Sequence, residues 1–153
     1  MKVLAVEKAE VRVWRAKLTH PFSTAKGQHD LLENVLFSLE LSNGVRGFGE
    51  AAVATHITGE TVAETLRHLK AAAKALRGEA FTEFPQIADA SQGICGRNKC
   101  ALAAVEMALL DAATRVKKMP FWKAFGTRVR RLRTDMTIVL GDVPQAEHAA
   151  REI

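Results

Sequence analysis

Long apolar runs are missing from this chain of 153 residues. No stretch approaches the roughly 20 apolar residues that a membrane-spanning helix needs, so we expect no membrane partner. The stretch 1–8 carries charge too early for a secretory signal, which predicts a cytoplasmic protein. A composition of 48% hydrophobic and 25% charged residues, without repeats or low-complexity segments, is typical of a soluble globular domain.

Cysteine is scarce as well. Cys95 and Cys100 are the two in the sequence, and their C-x4-C spacing has no histidine partners nearby. Structural zinc sites need four ligands, supplied by cysteine or by cysteine and histidine together. The pair therefore predicts two reduced thiols near a helix start and no metal site.

Aromatic residues make up only 6% of the chain, and basic residues are spread along it. Lys plus Arg is 22 and Asp plus Glu is 17, which gives a net charge of +5. The densest basic cluster alternates with Val129 and Leu132, which favours a connector between two domains over a nucleic-acid surface. Its members are Arg128, Arg130, Arg131 and Arg133. We therefore expect no nucleic-acid partner.

The first third of the chain has the alternation of an antiparallel sheet. Residues 10–18 alternate with a change of phase at Trp14, which predicts a bulge or bend. Residues 33–42 alternate cleanly between apolar and polar side chains. Asn43-Gly44 then favours a tight hairpin that leads into a third strand at 45–52.

Two long loops border these predicted strands, at 20–31 and at 53–60. The first is a stretch of about a dozen residues between strands that a two-residue turn could join, and loops of that length are often functional. We expect both loops to belong to a binding site.

The next third is helical. Thr61 and Glu64 fit a capping box, and a short helix is predicted at 84–90. Asn98 is placed to cap a long helix from about 99 to 117. Alanine occupies most faces of that helix, which predicts close packing. Two glycines in the third strand leave room for close backbone approach; they are Gly47 and Gly49.

The pattern changes after the helices. Residues 132–140 predict a new strand, Asp142 is placed as a helix N-cap, and 145–153 predict a helix. A strand, a tight turn and a helix begin a βα unit. Such a strand needs parallel neighbours, and a parallel sheet is covered on both faces. No further strand follows it here. We therefore expect an α+β domain followed by the first βα unit of an unfinished parallel sheet.

Three stretches follow one another in the sequence: His20-Pro21-Phe22 with 24–27, the run 47–51 with 58–61, and the run 104–112 with 119–122. In this order they resemble the enolase superfamily, in its muconate-lactonizing (mandelate racemase/muconate lactonizing enzyme) branch. Two further runs, 57–60 and 134–138, are most similar to the dipeptide epimerases of that branch, which act on dipeptides such as L-Ala-D/L-Glu.

The resemblance implies an enolase-like α+β capping domain at 1–127, a three-stranded antiparallel meander followed by a helical bundle. It implies that 128–153 are the first βα unit of a TIM-like (β/α)7β barrel that is truncated here. Loops of the capping domain would close over the barrel mouth, where barrel enzymes have their active sites. The missing C-terminal barrel would be the partner of this piece. A homo-oligomer is left open.

The resemblance also implies an isomerase that removes the proton next to a carboxylate of a dipeptide and returns it on the other face. One Mg²⁺ would stabilise the enediolate, and two opposed lysines would act as base and acid. In the family these lysines and the metal carboxylates come from later barrel strands. We therefore assign no catalytic residue and no metal ligand to this chain, and we expect the chain alone to be inactive.

Four residues are the substrate-binding candidates: Thr137, Lys26, Phe22 and Ile57. Lys26 suits a substrate carboxylate, which favours an acidic dipeptide, although it could be a solvated surface lysine. Thr137 could present its hydroxyl to the substrate or simply fill a strand position. Phe22 and Ile57 could line the specificity pocket or pin their loops to the barrel rim.

Other polar residues are interpreted as structural. Glu50 is expected to bond backbone amides, and Asp111 to pair with Arg115 at i+4. His56 is expected to be a surface or hydrogen-bonded residue. Two alternatives stay open for the function: the lid of a muconate cycloisomerase or o-succinylbenzoate synthase, and a free-standing α+β module that binds a small anion.

Overall fold

The computed structural model of the protein describes residues 4–24, 27–81, 84–126, 132–139 and 141–152. In these ranges a three-stranded sheet of order β1-β2-β3 is followed by helices, as the sequence predicts. The elements are β1 (Val6–Thr24), β2 (Gly27–Leu41), β3 (Arg46–Ala51), α1 (Thr55–Thr58), α2 (Val62–Ala75), α3 (Phe84–Cys95), α4 (Lys99–Val116) and α5 (Val143–Arg151), with a 3₁₀ helix at Phe121–Ala124.

Strands β2 and β3 pair in antiparallel register, with Val35 opposite Ala51 and Phe37 opposite Gly49. The members of these pairs lie on one face of the sheet, since side chains alternate along a strand. Val35, Phe37 and Ala51 are fully buried. This face therefore forms one side of the hydrophobic core.

The turn between β2 and β3 is the predicted hairpin. Gly44 has a φ of 80°, and its N–H donates to the carbonyl of Leu41 at 2.8 Å. Asn43 Oδ1 accepts the N–H of Val45 at 3.1 Å. A positive φ favours glycine, and this is why the Asn-Gly pair identifies the turn.

Helix α4 packs directly on β3, and the two glycines of that strand make this possible. A Cβ on Gly47 would lie 2.0 Å from the carbonyl oxygen of Ala108, and one on Gly49 would lie 1.9 Å from that of Ala104. No side chain fits such distances. The prediction of close backbone approach at these glycines is confirmed, and its partner is the alanine face of α4.

The helices begin at the predicted caps. Thr61 accepts the N–H of Glu64 at 3.2 Å, and Asn98 Oδ1 accepts the N–H of Ala101 at 2.7 Å. Asp142 caps α5 and forms a full capping box with its N3 residue. The side chains that close the core from the helical side are fully buried: Leu69, Ala72, Leu76, Ala101, Ala104, Val105 and Ala108.

The chain divides into two compact units. One comprises Met1–Trp14 and Glu33–Thr127, and the other comprises Arg15–Leu32 and Arg128–Ile153. The first boundary falls where β1 changes phase: Trp14 and Arg15 are both exposed, which breaks the alternation of the strand. The predicted phase change at Trp14 is thereby confirmed. Among the described residues, no helix has the length and apolar character needed to cross a membrane.

Three expectations about elements are wrong. The predicted loop 20–31 is largely strand, because β1 runs on to Thr24 and β2 starts at Gly27. Its polar sequence gave no strand signal, yet backbone hydrogen bonds alone can extend a ribbon. Helix α3 continues beyond residue 90 to Cys95. The predicted strand at 132–140 is not observed: residues 132–139 have no strand structure, and Leu140 lies outside the described residues.

Candidate functional site

Residues 52–60 form a folded loop between β3 and α2, here called the α1 loop because α1 lies in it. The turn of helix α1 ends at Gly59, which has a φ of 77°. The hydroxyl of Thr55 donates to the carbonyl of Glu60 at 2.8 Å, and the N–H of Glu60 donates to Thr58 Oγ1 at 3.2 Å. Ile57 lies on the one-turn helix with 71% of its surface exposed.

The start of the α1 loop is held by a buried amide. Asn34 is only 5% exposed, and its Nδ2 donates to Glu50 Oε1 at 2.5 Å. Its Oδ1 accepts the N–H of Val53 at 3.3 Å. In the described part of the chain, Glu50 therefore bonds a side-chain amide where we expected backbone amides, and Asn34 links its carboxylate to the loop. Asn34 carries no motif, and sequence reasoning missed it.

The end of the α1 loop is held by the Glu60 carboxylate, which caps α4. Glu60 Oε1 accepts the N–H of Lys99, and Oε2 accepts the N–H of Cys100 at 3.2 Å. Burial works to raise the pKa of Glu60, but the hydrogen bonds from Cys100 and Lys99 outweigh it and the pKa lies below its ordinary value of 4.5. A carboxylate at a helix N-terminus is stabilised by free N–H groups and by the helix dipole.

The two cysteines are free and buried. Burial, with the charge of Glu106, raises the pKa of Cys95 to about 11. Burial and the Glu60 carboxylate raise that of Cys100 to about 11. Both are protonated thiols at neutral pH and poor nucleophiles. In the described part of the chain, no group of three or more His, Cys, Asp or Glu side chains could hold a metal ion.

The first predicted loop is the end of the β1–β2 ribbon. Phe22 lies there on β1 with 39% of its surface exposed. The hydroxyl of Thr24 donates to the carbonyl of Gly27 at 3.2 Å, and Ser23 Oγ donates to Gln28 Oε1 at 3.3 Å. Lys26 lies outside the described residues.

Thr137 is exposed in the stretch 132–139. Thr137 and Phe22 belong to the second compact unit, whereas Ile57 belongs to the first. The substrate-binding role of Thr137, Lys26, Phe22 and Ile57 stays a prediction.

Asp111 has a second role besides the predicted ion pair. Its Oδ1 accepts from Arg115 Nε at 2.9 Å, which confirms the i+4 pairing. Its Oδ2 accepts the N–H of Phe48 on β3 at 3.1 Å. The guanidinium groups of Arg46 and Arg115 lie 5.4 and 5.7 Å from the Phe48 ring centre. Asp111 thus joins α4 to the outer edge of the sheet.

A groove of about 850 Å³ lies on the sheet in the first unit. Its walls come from all three strands and from Met107 of α4. Charged members such as Arg12 and Arg46 stand beside the apolar Phe48 and Leu36. Of the four predicted substrate-binding residues, the three that the structure describes, Phe22, Ile57 and Thr137, do not line this groove.

Comparison with known proteins gives a consistent result. The sequence model described as "Mandelate racemase / muconate lactonizing enzyme, N-terminal domain" matches residues 8–126. The hydrophobic dipeptide epimerase of Citrifermentans bemidjiense is 43% identical over 152 residues, covering 96% of this chain and 41% of that protein. The aromatic dipeptide epimerase of Herpetosiphon aurantiacus is 35% identical over 139 residues, covering 89% of this chain and 38% of that protein.

A solved structure agrees with these relatives. The substrate-liganded L-Ala-D/L-Glu epimerase of Bacillus subtilis superposes with a TM-score of 0.87 at 26% identity, covering 97% of this chain and 42% of that one. The chain therefore spans about two fifths of the length of the proteins it matches.

Proposed function

Because the chain belongs to the mandelate racemase/muconate lactonizing enzyme family, through the N-terminal domain of that family, we propose that it is part of a dipeptide epimerase. The observation that carries the proposal is the 43% identity over 152 residues with the hydrophobic dipeptide epimerase of Citrifermentans bemidjiense. The relative from Herpetosiphon aurantiacus, at 35% identity, is also named as a dipeptide epimerase. The activity belongs to a longer protein that includes these residues.

The proposed reaction moves one proton. The hydrogen next to the carboxylate of the dipeptide is removed and then returned on the other face, which inverts that carbon. The enzyme class requires Mg²⁺ to stabilise the negative charge that develops on the carboxylate. The described residues of this chain do not fit a metal site, so we assign them no step that involves the metal. We also assign them no catalytic acid or base.

The part that we assign to this chain is recognition. Ile57, exposed on the α1 loop, and Phe22, exposed on the β1–β2 ribbon, offer apolar surface to a substrate side chain. Lys26 would meet a carboxylate, and Thr137 would donate or accept a hydrogen bond. We place residues 1–127 in the capping domain and 128–153 at the start of the barrel, in a cytoplasmic enzyme.

Two substrate classes compete. Ile57 and Phe22, together with the names of the two curated relatives, favour a hydrophobic dipeptide. Lys26 and the likeness to the Bacillus subtilis enzyme favour an acidic one such as L-Ala-L-Glu. Hydrophobic contacts discriminate by only about 1–3 kcal/mol per methylene group, so kcat/KM values are needed to separate the two classes.

The test is an epimerisation assay of the full-length protein with Mg²⁺. Chiral chromatography would follow L-Ala-L-Phe, L-Ala-L-Leu and L-Ala-L-Glu. The proposal predicts turnover of at least one, with higher kcat/KM for the hydrophobic pair. Turnover of L-Ala-L-Glu alone would assign the acidic substrate. Absence of turnover with every dipeptide, in a folded protein supplied with Mg²⁺, would contradict the proposal.

A further inference from the structure

Both ends of the α1 loop are attached to one residue. The N–H of Cys100 donates to Glu60 Oε2 at 3.2 Å, and its thiol donates to the carbonyl of Ala52 at 3.3 Å. Ala52 and Glu60 are the first and last residues of the loop. A surface loop whose ends meet, and which carries its own internal contacts, is a compact Ω-type loop.

The residue that closes the loop lies on a rigid support. Cys100 is in the first turn of α4, and α4 is in contact with β3 at Gly47 and Gly49. Such backbone contact leaves no room for sliding, since interiors are close-packed. The α1 loop is therefore fixed to the most closely packed part of the first unit.

The first N–H groups of α4 are already used by protein acceptors. Glu60 accepts from Lys99 and Cys100, and Asn98 accepts from Ala101. A free helix N-terminus would suit an anionic ligand, but these donors are occupied. The Glu60 carboxylate thus has a structural role at this helix end, and substrate anions have no reason to bind there.

This arrangement determines the position of Ile57. It projects from a loop that is held at both ends, yet 71% of its surface is exposed. Because the loop that carries Ile57 is already held at both ends, little further backbone ordering is needed when a ligand covers the side chain. This is the property expected of a preformed wall of a pocket and not of a mobile lid.

We propose that Glu60 is a positioning residue, which fixes the α1 loop to α4 so that Ile57 forms a preset wall against the apolar side chain of the dipeptide. The inference rests on the proposed function, which supplies the substrate. Glu60 acts through Ile57 and does not touch the reacting atoms. Its loss therefore weakens substrate binding more than it slows chemistry.

The experiment compares Glu60→Ala and Glu60→Gln in the full-length protein with Mg²⁺. Glu64→Gln, which removes an exposed carboxylate from the first turn of α2, is the matched control. Two charge-assisted hydrogen bonds are lost in Glu60→Ala, so hydrogen–deuterium exchange in the peptide 52–60 should rise about tenfold or more. For L-Ala-L-Phe the KM should rise about tenfold, with kcat within about twofold of wild type.

The conservative variant and the control complete the test. Glu60→Gln keeps an acceptor oxygen. The hydrogen–deuterium exchange rate of its peptide 52–60 and its KM for L-Ala-L-Phe should therefore lie between those of wild type and Glu60→Ala. If Glu60→Ala does not fold, the same two measurements on Glu60→Gln test the inference. Glu64→Gln should match wild type in both readouts. Unchanged exchange in Glu60→Ala, or faster exchange with unchanged KM, would overturn the inference.

Failure of the proposed function would look different. In that case no dipeptide would turn over in the wild-type protein, whatever the state of residue 60. The exchange experiment would still decide whether Glu60 holds the loop, because it needs no substrate.

Discussion

Asp111, on helix α4, accepts the backbone N–H of Phe48 on the edge strand β3 through its Oδ2, at 3.1 Å. An edge strand presents unpaired N–H groups that can bind other chains. The carboxylate satisfies one of these groups from within the same domain. It also joins the sheet to the helix that packs on it, so the contact is expected to matter for stability more than the neighbouring surface ion pair.

Asp111→Ala should lower the free energy of unfolding by about 1–2 kcal/mol, because the Phe48 N–H and the Arg115 guanidinium both lose a charged acceptor. Urea denaturation would measure the change. Arg115→Ala is the comparison, since it removes the ion pair and the contact of the guanidinium with the Phe48 ring but leaves the Phe48 N–H bonded to Asp111, and it should cost about 0–1 kcal/mol. Equal losses in the two variants would show that the ion pair, and not the edge contact, is what stabilises this region.

Gly49→Ala should destabilise the domain severely. Its Cβ would lie 1.9 Å from the carbonyl oxygen of Ala104, and a helix backbone cannot yield as a side chain can. We expect a loss at or above the roughly 1–3 kcal/mol typical of overpacking. Gly93→Ala is the contrasting substitution in α3, where nothing lies within 4 Å, and it should stabilise by about 1 kcal/mol. A tolerated Gly49→Ala would refute the close contact of α4 and β3.

Ser91→Ala should stabilise the protein by about 1 kcal/mol. Ser91 is 0% exposed, and its hydroxyl has no hydrogen-bond partner in the described part of the chain. Alanine removes an unpaired buried polar group and favours the helix. Thr65→Ala is the opposite case, because the buried Thr65 hydroxyl accepts from Asn98 Nδ2 at 3.3 Å. The thermal unfolding temperature should rise for Ser91→Ala and fall for Thr65→Ala. A fall in both variants would mean that the Ser91 hydroxyl does have a hydrogen-bond partner.

The stabilising effect of Glu60 should depend on pH in a defined direction. Its pKa is lowered in the folded protein from the ordinary 4.5. The ionised carboxylate therefore contributes stability that is fully present above pH 4.5 and is lost as the pH falls through the folded pKa. The difference in unfolding free energy between wild type and Glu60→Gln should be about 1 kcal/mol at pH 7. It should shrink towards zero in acid, and a difference that grows in acid would contradict the capping role.

The features that the sequence predicts are those with local causes. Asn98 caps α4, Asn43-Gly44 turns the hairpin and Asp111 pairs with Arg115, because each depends on residues a few positions apart. The glycines of β3 are similar, since a missing side chain implies a close neighbour even when that neighbour is unknown.

The features that the sequence does not predict join distant residues. Glu60 meets Cys100 across 40 positions, and Phe48 meets Asp111 across 63. A carboxylate in a loop has many possible donors, and only the folded chain selects one. The outer part of the β1–β2 ribbon was missed for a different reason: backbone hydrogen bonds form it, and polar side chains leave no periodic signal.

We propose that residues of this chain, Ile57 and Phe22 among them, recognise a dipeptide whose α-proton is then exchanged. Incorporation of solvent deuterium into L-Ala-L-Phe tests it directly. The full-length protein, Mg²⁺ and the dipeptide would be incubated in D₂O, and ¹H NMR would follow the α-proton next to the carboxylate. The account predicts loss of that signal together with appearance of the L,D diastereomer. A signal that persists for this dipeptide and for L-Ala-L-Glu, with folded and Mg²⁺-supplied protein, would contradict it.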